Sequence, residues 1–154
     1  MPHEPRLRDY LTRDEVASLL RAARKSPRSG ARNYAMILIA YRHGLRASET
    51  VDLRVSDLDL SAGTIYCRRA KGSRSSLHPM KADEVAALEK LLRDRGLQPT
   101  NYVFQSERTG KLCRSAFWRI VSEANSYSGW NRCVEQTATM LCPSVLAKSS
   151  TRER

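Results

Sequence analysis

Apolar positions in the first third of the chain recur at helical spacing. Val16, Leu19, Leu20 and Ala23 share one face of a segment that begins Thr12, Arg13, Asp14, Glu15. That start is a capping box: Thr12 can accept from the backbone N–H three residues on, while Glu15 reaches back to the cap. Ser26, Pro27 and the Ser29–Gly30 pair stop the pattern. A second helix is predicted over about Ala31 to His43, and its run from Tyr34 to Tyr41 is almost wholly apolar, as a helix buried around most of its circumference requires. Gly44 can adopt the left-handed conformation that ends a helix. A short third helix, Ala47 to Leu53, restarts at once and leaves Arg46 at a sharp inter-helix corner.

The period then changes from helix to strand. Thr64 to Arg69 is β-rich and follows a Ser61, Ala62, Gly63 turn, and Ser75 to Met80 reads as its return strand. Between them Ala70, Lys71, Gly72, Ser73 and Arg74 make a basic hairpin tip. Leu58 and Leu60 alternate with Asp57 and Asp59 and are expected to add a third antiparallel strand, the support an isolated hairpin lacks. Helical spacing resumes from Lys81 to Arg95, with Val85, Leu88, Leu91 and Leu92 on one side and Gly96 at the end. Tyr102, Val103 and Phe104 form a short apolar extended segment.

A last helix is predicted from Arg114 to Asn125 with two unlike faces. Ala116, Phe117, Ile120 and Val121 fall together, and Arg114, Ser115, Trp118, Arg119 and Ser122 fall opposite. A tryptophan between two arginines and two hydroxyls suits docking onto a sugar-phosphate backbone; partial burial under a neighbouring loop is the competing reading. Past Asn125 the periodicity ends, and Lys148 to Arg154 reads as a disordered end. The pattern predicts an α+β fold, mostly helical with a small three-stranded antiparallel sheet. The expected divisions are an N-terminal extension over 1–9, one domain over 10–125, and an aperiodic tail over 126–154, disordered or out of frame.

Charge narrows the function. The 154 residues hold 27 Lys and Arg against 16 Asp and Glu, a net charge of +11. Residues 126–154 contribute only +2 of this and residues 1–125 contribute +9, so the folded part is basic and points to an anionic partner. The apolar run Tyr34 to Tyr41 is far short of the roughly 20 residues needed to span a bilayer, and Met1 to Pro5 lacks the apolar region of a signal peptide. A cytoplasmic protein with no membrane partner is expected. Cys67, Cys113, Cys133 and Cys142 contain no Cys-x-x-Cys pair, and His3, His43 and His78 lie at no ligand spacing, so neither a metal site, a cofactor nor a disulfide framework is expected.

Arg46 is the sharpest candidate. An arginine held between two packed helices presents a permanently charged fork suited to a phosphate. A structural pairing with Glu49 or Asp52 is the competing reading.

The order of these features resembles the catalytic domain of tyrosine recombinases, the phage-integrase family, with its closest likeness to the short fimbrial phase-variation recombinases. The residues that carry the likeness are Leu45, Arg46, Ala47, Ser48, Glu49 at a helix corner, the basic hairpin about 25 residues on, and Tyr102, Val103, Phe104 before a basic helix. The resemblance covers roughly Tyr10 to Asn125. It implies that Arg46 grips the non-bridging oxygens of a scissile phosphate and stabilises the phosphorane, with Glu49 as its brace. It also implies that Lys71 protonates the departing 5′-hydroxyl, with Arg69 and Arg74 as neighbours able to take a phosphate instead.

The family completes its chemistry with a His-x-x-Arg pair, a further histidine or tryptophan, and a tyrosine that forms a 3′-phosphotyrosyl bond. No histidine follows His78, and Tyr127 is the only tyrosine beyond Asn125. The expectation is therefore a truncated, inactive recombinase that binds double-stranded DNA and pairs with full-length recombinase subunits. Arg69, Arg74, Lys111, Arg114, Ser115, Trp118 and Arg119 are its expected DNA contacts. The alternatives are a non-enzymatic DNA-binding regulator or an unrelated basic nucleic-acid-binding domain.

Overall fold

Helix α2, Gly30–His43, is the centre of the structure, a computed structural model that describes residues 11–69, 72, 74–108 and 110–127. Ala35, Met36, Ile37, Leu38, Ile39 and Ala40 are all buried along it, because it is covered on several sides: α1, Arg13–Arg24, packs on one flank and α4, Ala82–Arg95, on another. Burying one such Ile or Leu stabilises the fold by about 1.5–3 kcal/mol, and truncating Ile37 to Ala would cost about 2–5 kcal/mol. Gly44 ends α2 at φ 60°, ψ 42°, and its N–H bonds back to Ala40 O. The predicted capping box of α1 is present, with Glu15 N donating to Thr12 Oγ1 at 3.3 Å and Thr12 N to Glu15 Oε2 at 2.6 Å.

A five-residue α3, Ala47–Val51, follows the corner and ends two residues before the expected Leu53. A 3-10 turn over Val55–Asp57 leads into the sheet, formed by β1, Leu58–Asp59, β2, Thr64–Cys67, and β3, Ser76–Pro79, in the order β1-β2-β3. Both pairings are antiparallel, with Leu58 opposite Ile65, Ile65 opposite His78 and Cys67 opposite Ser76. Ile65 and Cys67 enter the core on one face, while Tyr66 and its partner Leu77 are exposed on the other. Pro79 is tolerated because β3 is an edge strand. Tyr102 pairs with Arg54, Val103 N bonds to Leu53 O at 2.9 Å, and Val103 and Phe104 are buried.

The final helix α5, Arg114–Tyr127, packs against α1 and α3. Its apolar face is buried as the spacing predicts, with Ala124 and Asn125 added. It runs through Ser126 and Tyr127, two residues past the expected stop, although Tyr127 is 72% exposed. The spacing also misplaces two faces. Ala22 is buried on α1 where Leu20 is half-buried, and on α4 Glu84 is buried beside the expected Leu88 and Leu91, while Val85 and Leu92 are half-buried. A charged residue goes inside because partners on α2 wait for it. The expected extension 1–9, the tail from 128 onward and Lys71 lie outside the described residues.

Candidate nucleic-acid interface

Arg46 is the N-cap residue of α3, with φ −68° and ψ 159°. Its N–H donates to Glu49 Oε2 at 2.9 Å, and its carbonyl accepts from Thr50 N and Thr50 Oγ1, both at 2.9 Å. The backbone is therefore held from both sides. On the side chain, Nη1 is 3.4 Å from Glu49 Oε1, and 48% of it is exposed. Asp52, the other carboxylate considered, contacts Lys111 instead.

Glu49 has a side chain only 2% exposed, and a buried carboxylate must be answered by donors. Its second arginine comes from the hairpin. Arg69 Nη1 donates to Glu49 Oε2 at 3.2 Å and to Gly44 O at 2.8 Å, while Nη2 donates to His43 O at 2.9 Å. Arg69 thus caps the exposed carbonyls at the C-terminus of α2, where a cation is favoured. Expected as a DNA contact, Arg69 is turned inward, its side chain 15% exposed. The hairpin and the Arg46 corner meet through one carboxylate, with Lys71 two residues beyond.

Arg74, also in the hairpin tip, is exposed. Lys111 raises its ammonium pKa through its hydrogen bond to Asp52 and lies 5.3 Å over the Tyr102 ring. An open groove lined by Ser48, Asp52, Lys111, Cys113 and Arg114 joins α3 to the start of α5. Arg114, Ser115 and Arg119 are exposed, and Trp118 is half-buried, edge-on to Phe117 at 6.4 Å. Arg119 stands farther along, in the field of buried Arg32, whose pKa is lowered chiefly by burial and further by Arg95 and Arg119.

Behind the corner lies a cluster the spacing did not reveal. His43 Nε2 is 2.8 Å from Glu84 Oε1, and His43 Nδ1 is 3.3 Å from His78 Nδ1. Arg42 forms a bidentate pair with Asp83 at 2.6 Å and reaches Glu84 Oε2 at 3.2 Å. Burial alone would push the Glu84 carboxyl up, but hydrogen bonds from His43 and Lys81 N–H and the nearby charges of His43 and Arg42 hold it below its ordinary value. Cys67 completes a group with the two histidines whose three donor atoms lie within 4.8 Å of one another, and burial pushes its thiol up to about 11.

This arrangement defines a class: the catalytic-domain fold of tyrosine recombinases, an α+β fold with a three-stranded antiparallel sheet beside a helix-corner arginine. The chain belongs to the Phage integrase family, whose sequence profile matches residues 9–139. It is 40% identical over 126 residues to the type 1 fimbriae regulatory protein FimE of Escherichia coli, covering 79% of this chain and 63% of that protein. It is 32% identical over 137 residues to the tyrosine recombinase XerD of Mycobacterium leprae, covering 80% of this chain and 43% of the relative. The chain therefore spans less than two-thirds of the length of these relatives. Among solved structures it superposes on XerA recombinase with a TM-score of 0.78 at 25% identity, covering 100% of this chain and 54% of that one. The XerH site-specific recombinase bound to its difH substrate before cleavage matches with a TM-score of 0.72 at 24% identity, covering 96% of this chain and 44% of that one. Among the described residues no helix is long and apolar enough to cross a membrane.

Proposed function

We propose that this chain binds double-stranded DNA as the phosphate-gripping part of a site-specific recombinase, with Arg46 on the scissile phosphate, Lys71 beside it and Glu49 as brace. The observation that carries the reading is the shared carboxylate. Glu49 accepts from Arg46 and from Arg69, so the hairpin leading to Lys71 is anchored at the corner that presents Arg46. A half-exposed guanidinium on a fixed backbone suits a bidentate phosphate contact. Arg74, Arg114, Ser115, Trp118 and Arg119 extend the contact along the backbone, and Lys111 joins them from its pair with Asp52.

Domain 10–125 carries these contacts in this reading, and the tail over 126–154 supplies no part of the chemistry. The chain as given is inactive alone because no histidine follows His78 and no His-x-x-Arg pair stands near a later tyrosine. Without an activated nucleophile in line with the phosphate there is no covalent step. Tyr127, on an exposed last turn of α5, lacks such partners in sequence. Its place would then be as a DNA-occupying companion of full-length recombinase subunits in the cytoplasm.

A fluorescence titration of duplex DNA at several salt concentrations tests the binding. About four to six phosphate contacts give a slope of log affinity against log salt of about −4 to −5. The same protein incubated with a nicked suicide substrate should give no protein–DNA adduct on a denaturing gel. No binding at low salt overturns the DNA reading, and an adduct lost on Tyr127→Phe overturns the inactive one.

A further inference from the structure

Two histidines from different elements turn the same ring nitrogen toward each other beside a buried thiol. His43 comes from the last turn of α2, Cys67 from β2 and His78 from β3. Cys67 stands opposite Ser76 in the sheet, so His78 is its diagonal neighbour on the same face. The donor atoms of the three side chains lie within 4.8 Å of one another.

From this geometry we infer that His43, Cys67 and His78 form a binding site for a single borderline-soft divalent transition metal, zinc above all, that ties the base of the β2–β3 hairpin to the end of α2. The first support is distance. Two imidazole nitrogens at about 2.0–2.1 Å from a tetrahedral zinc stand roughly 3.3–3.4 Å apart, and His43 Nδ1 and His78 Nδ1 are 3.3 Å apart. The second is the outer shell. Metal-bound histidines commonly donate their other ring nitrogen to a carboxylate or another oxygen, which sets tautomer and orientation. Here His43 Nε2 meets Glu84 Oε1 at 2.8 Å and His78 Nε2 meets Ser76 Oγ at 2.8 Å, leaving the two Nδ1 atoms to face inward. The third is donor chemistry: a thiolate with two imidazoles suits zinc, cobalt and copper and disfavours magnesium or calcium.

The metal takes the place of the Cys67 thiol proton, which passes to water, and three protein ligands leave a fourth tetrahedral position for a water. His78 is half-buried, so that position opens to solvent on its side. The consequence reaches the hairpin: Cys67 and His78 flank residues 68–77, which include the basic tip, and a metal holding both to His43 would set the tip's distance from the corner three residues past His43. The inference rests on side-chain geometry and stands apart from the DNA reading.

Anaerobic titration of the reduced full chain with cobalt(II) is the test. The expected result is one cobalt per chain, with the visible bands of tetrahedral cobalt and a thiolate-to-cobalt charge-transfer band, both lost on adding zinc. Cys67→Ser should remove the charge-transfer band. His78→Ala, at a half-buried edge position, should weaken cobalt affinity by more than the roughly 10- to 100-fold that loss of an outer-shell partner costs. The triple variant Cys113→Ser, Cys133→Ser, Cys142→Ser should keep the wild-type spectrum. A wild-type chain without tetrahedral bands has an ordinary His43–His78 hydrogen bond there and overturns the inference. So does a charge-transfer band that survives Cys67→Ser, or an affinity unchanged by His78→Ala.

Discussion

The last turn of α2 feeds two charged regions that differ in how their charges are answered. On one side Arg42 and His43 meet Asp83 and Glu84. Glu84, with a side chain 1% exposed, takes His43 at 2.8 Å, Arg42 at 3.2 Å and the Lys81 N–H at 2.7 Å. On the other side, Glu49 bonds the Arg46 backbone at 2.9 Å and its guanidinium only at 3.4 Å, while sharing itself with Arg69. In the first region the Glu84 carboxylate is answered inside the fold by His43 and Arg42, while Asp83 pairs with Arg42 at the surface. In the second a buried carboxylate fixes the backbone of an arginine whose side chain is half-exposed. The difference is geometric: α4 packs against α2 and buries Glu84 and His43, whereas Arg46 follows the corner at Gly44 with its side chain half-exposed.

The sharpest way to break this contrast is to remove the buried carboxylate. Glu84→Ala leaves His43 and Arg42 facing a desolvated gap and should cost about 3 kcal/mol or more of stability, read from urea denaturation. DNA affinity of the folded protein should stay near wild type, and an equal loss of both would erase the distinction between the regions. Glu49→Ala should cost about 2 kcal/mol, because the α3 cap and the partner of two arginines go together, and it should weaken DNA binding as well.

Arg46→Ala separates function from stability most cleanly. A half-exposed arginine contributes at most about 1 kcal/mol to folding, yet its loss should weaken duplex binding about tenfold and lower the magnitude of the salt slope by about 1. A variant destabilised by several kcal/mol that, while still folded, binds DNA as tightly as wild type would make Arg46 a structural residue.

The smallest effect is pH. Arg42 holds the Asp83 carboxyl below its ordinary value, chiefly by their hydrogen bond, and Glu84 is held below its own. Groups whose carboxyls are depressed in the fold bind protons more readily when unfolded. Their stabilisation is therefore full above the ordinary carboxylate range and is lost as pH falls through the folded values. The Tm should fall below about pH 4.5, the ordinary value for Glu84. Glu84→Gln should shrink that fall.

The corner was legible because its signals are local. Gly44 stops one helix, Glu49 caps the next three residues after Arg46, and the apolar run of α2 announces its own burial. The three-stranded sheet was equally readable from the alternation at Leu58 and Leu60 and the turn at Gly63. The partners of Arg69 were not legible, for the opposite reason. A basic residue beside a hairpin tip reads as solvent-facing, but its acceptors are 20 to 26 positions away at Glu49, Gly44 and His43. Glu84 escaped notice in the same way, since a first-turn glutamate is normally only a helix cap, and His43 lies 41 positions from it.

The sequence by itself determined the helix and strand boundaries to within a few residues, the family and the arginine at the corner, because capping, periodicity and turn chemistry act over three or four positions. Only the tertiary structure decided which charges remain available and which ligands meet. Folding brought His78 to His43 across 35 positions and drew Arg69 inward onto carbonyls that α2 could not satisfy alone. Such pairings are selected by the desolvation cost of leaving a buried charge or a helix end unanswered, and that cost exists only once the elements have packed.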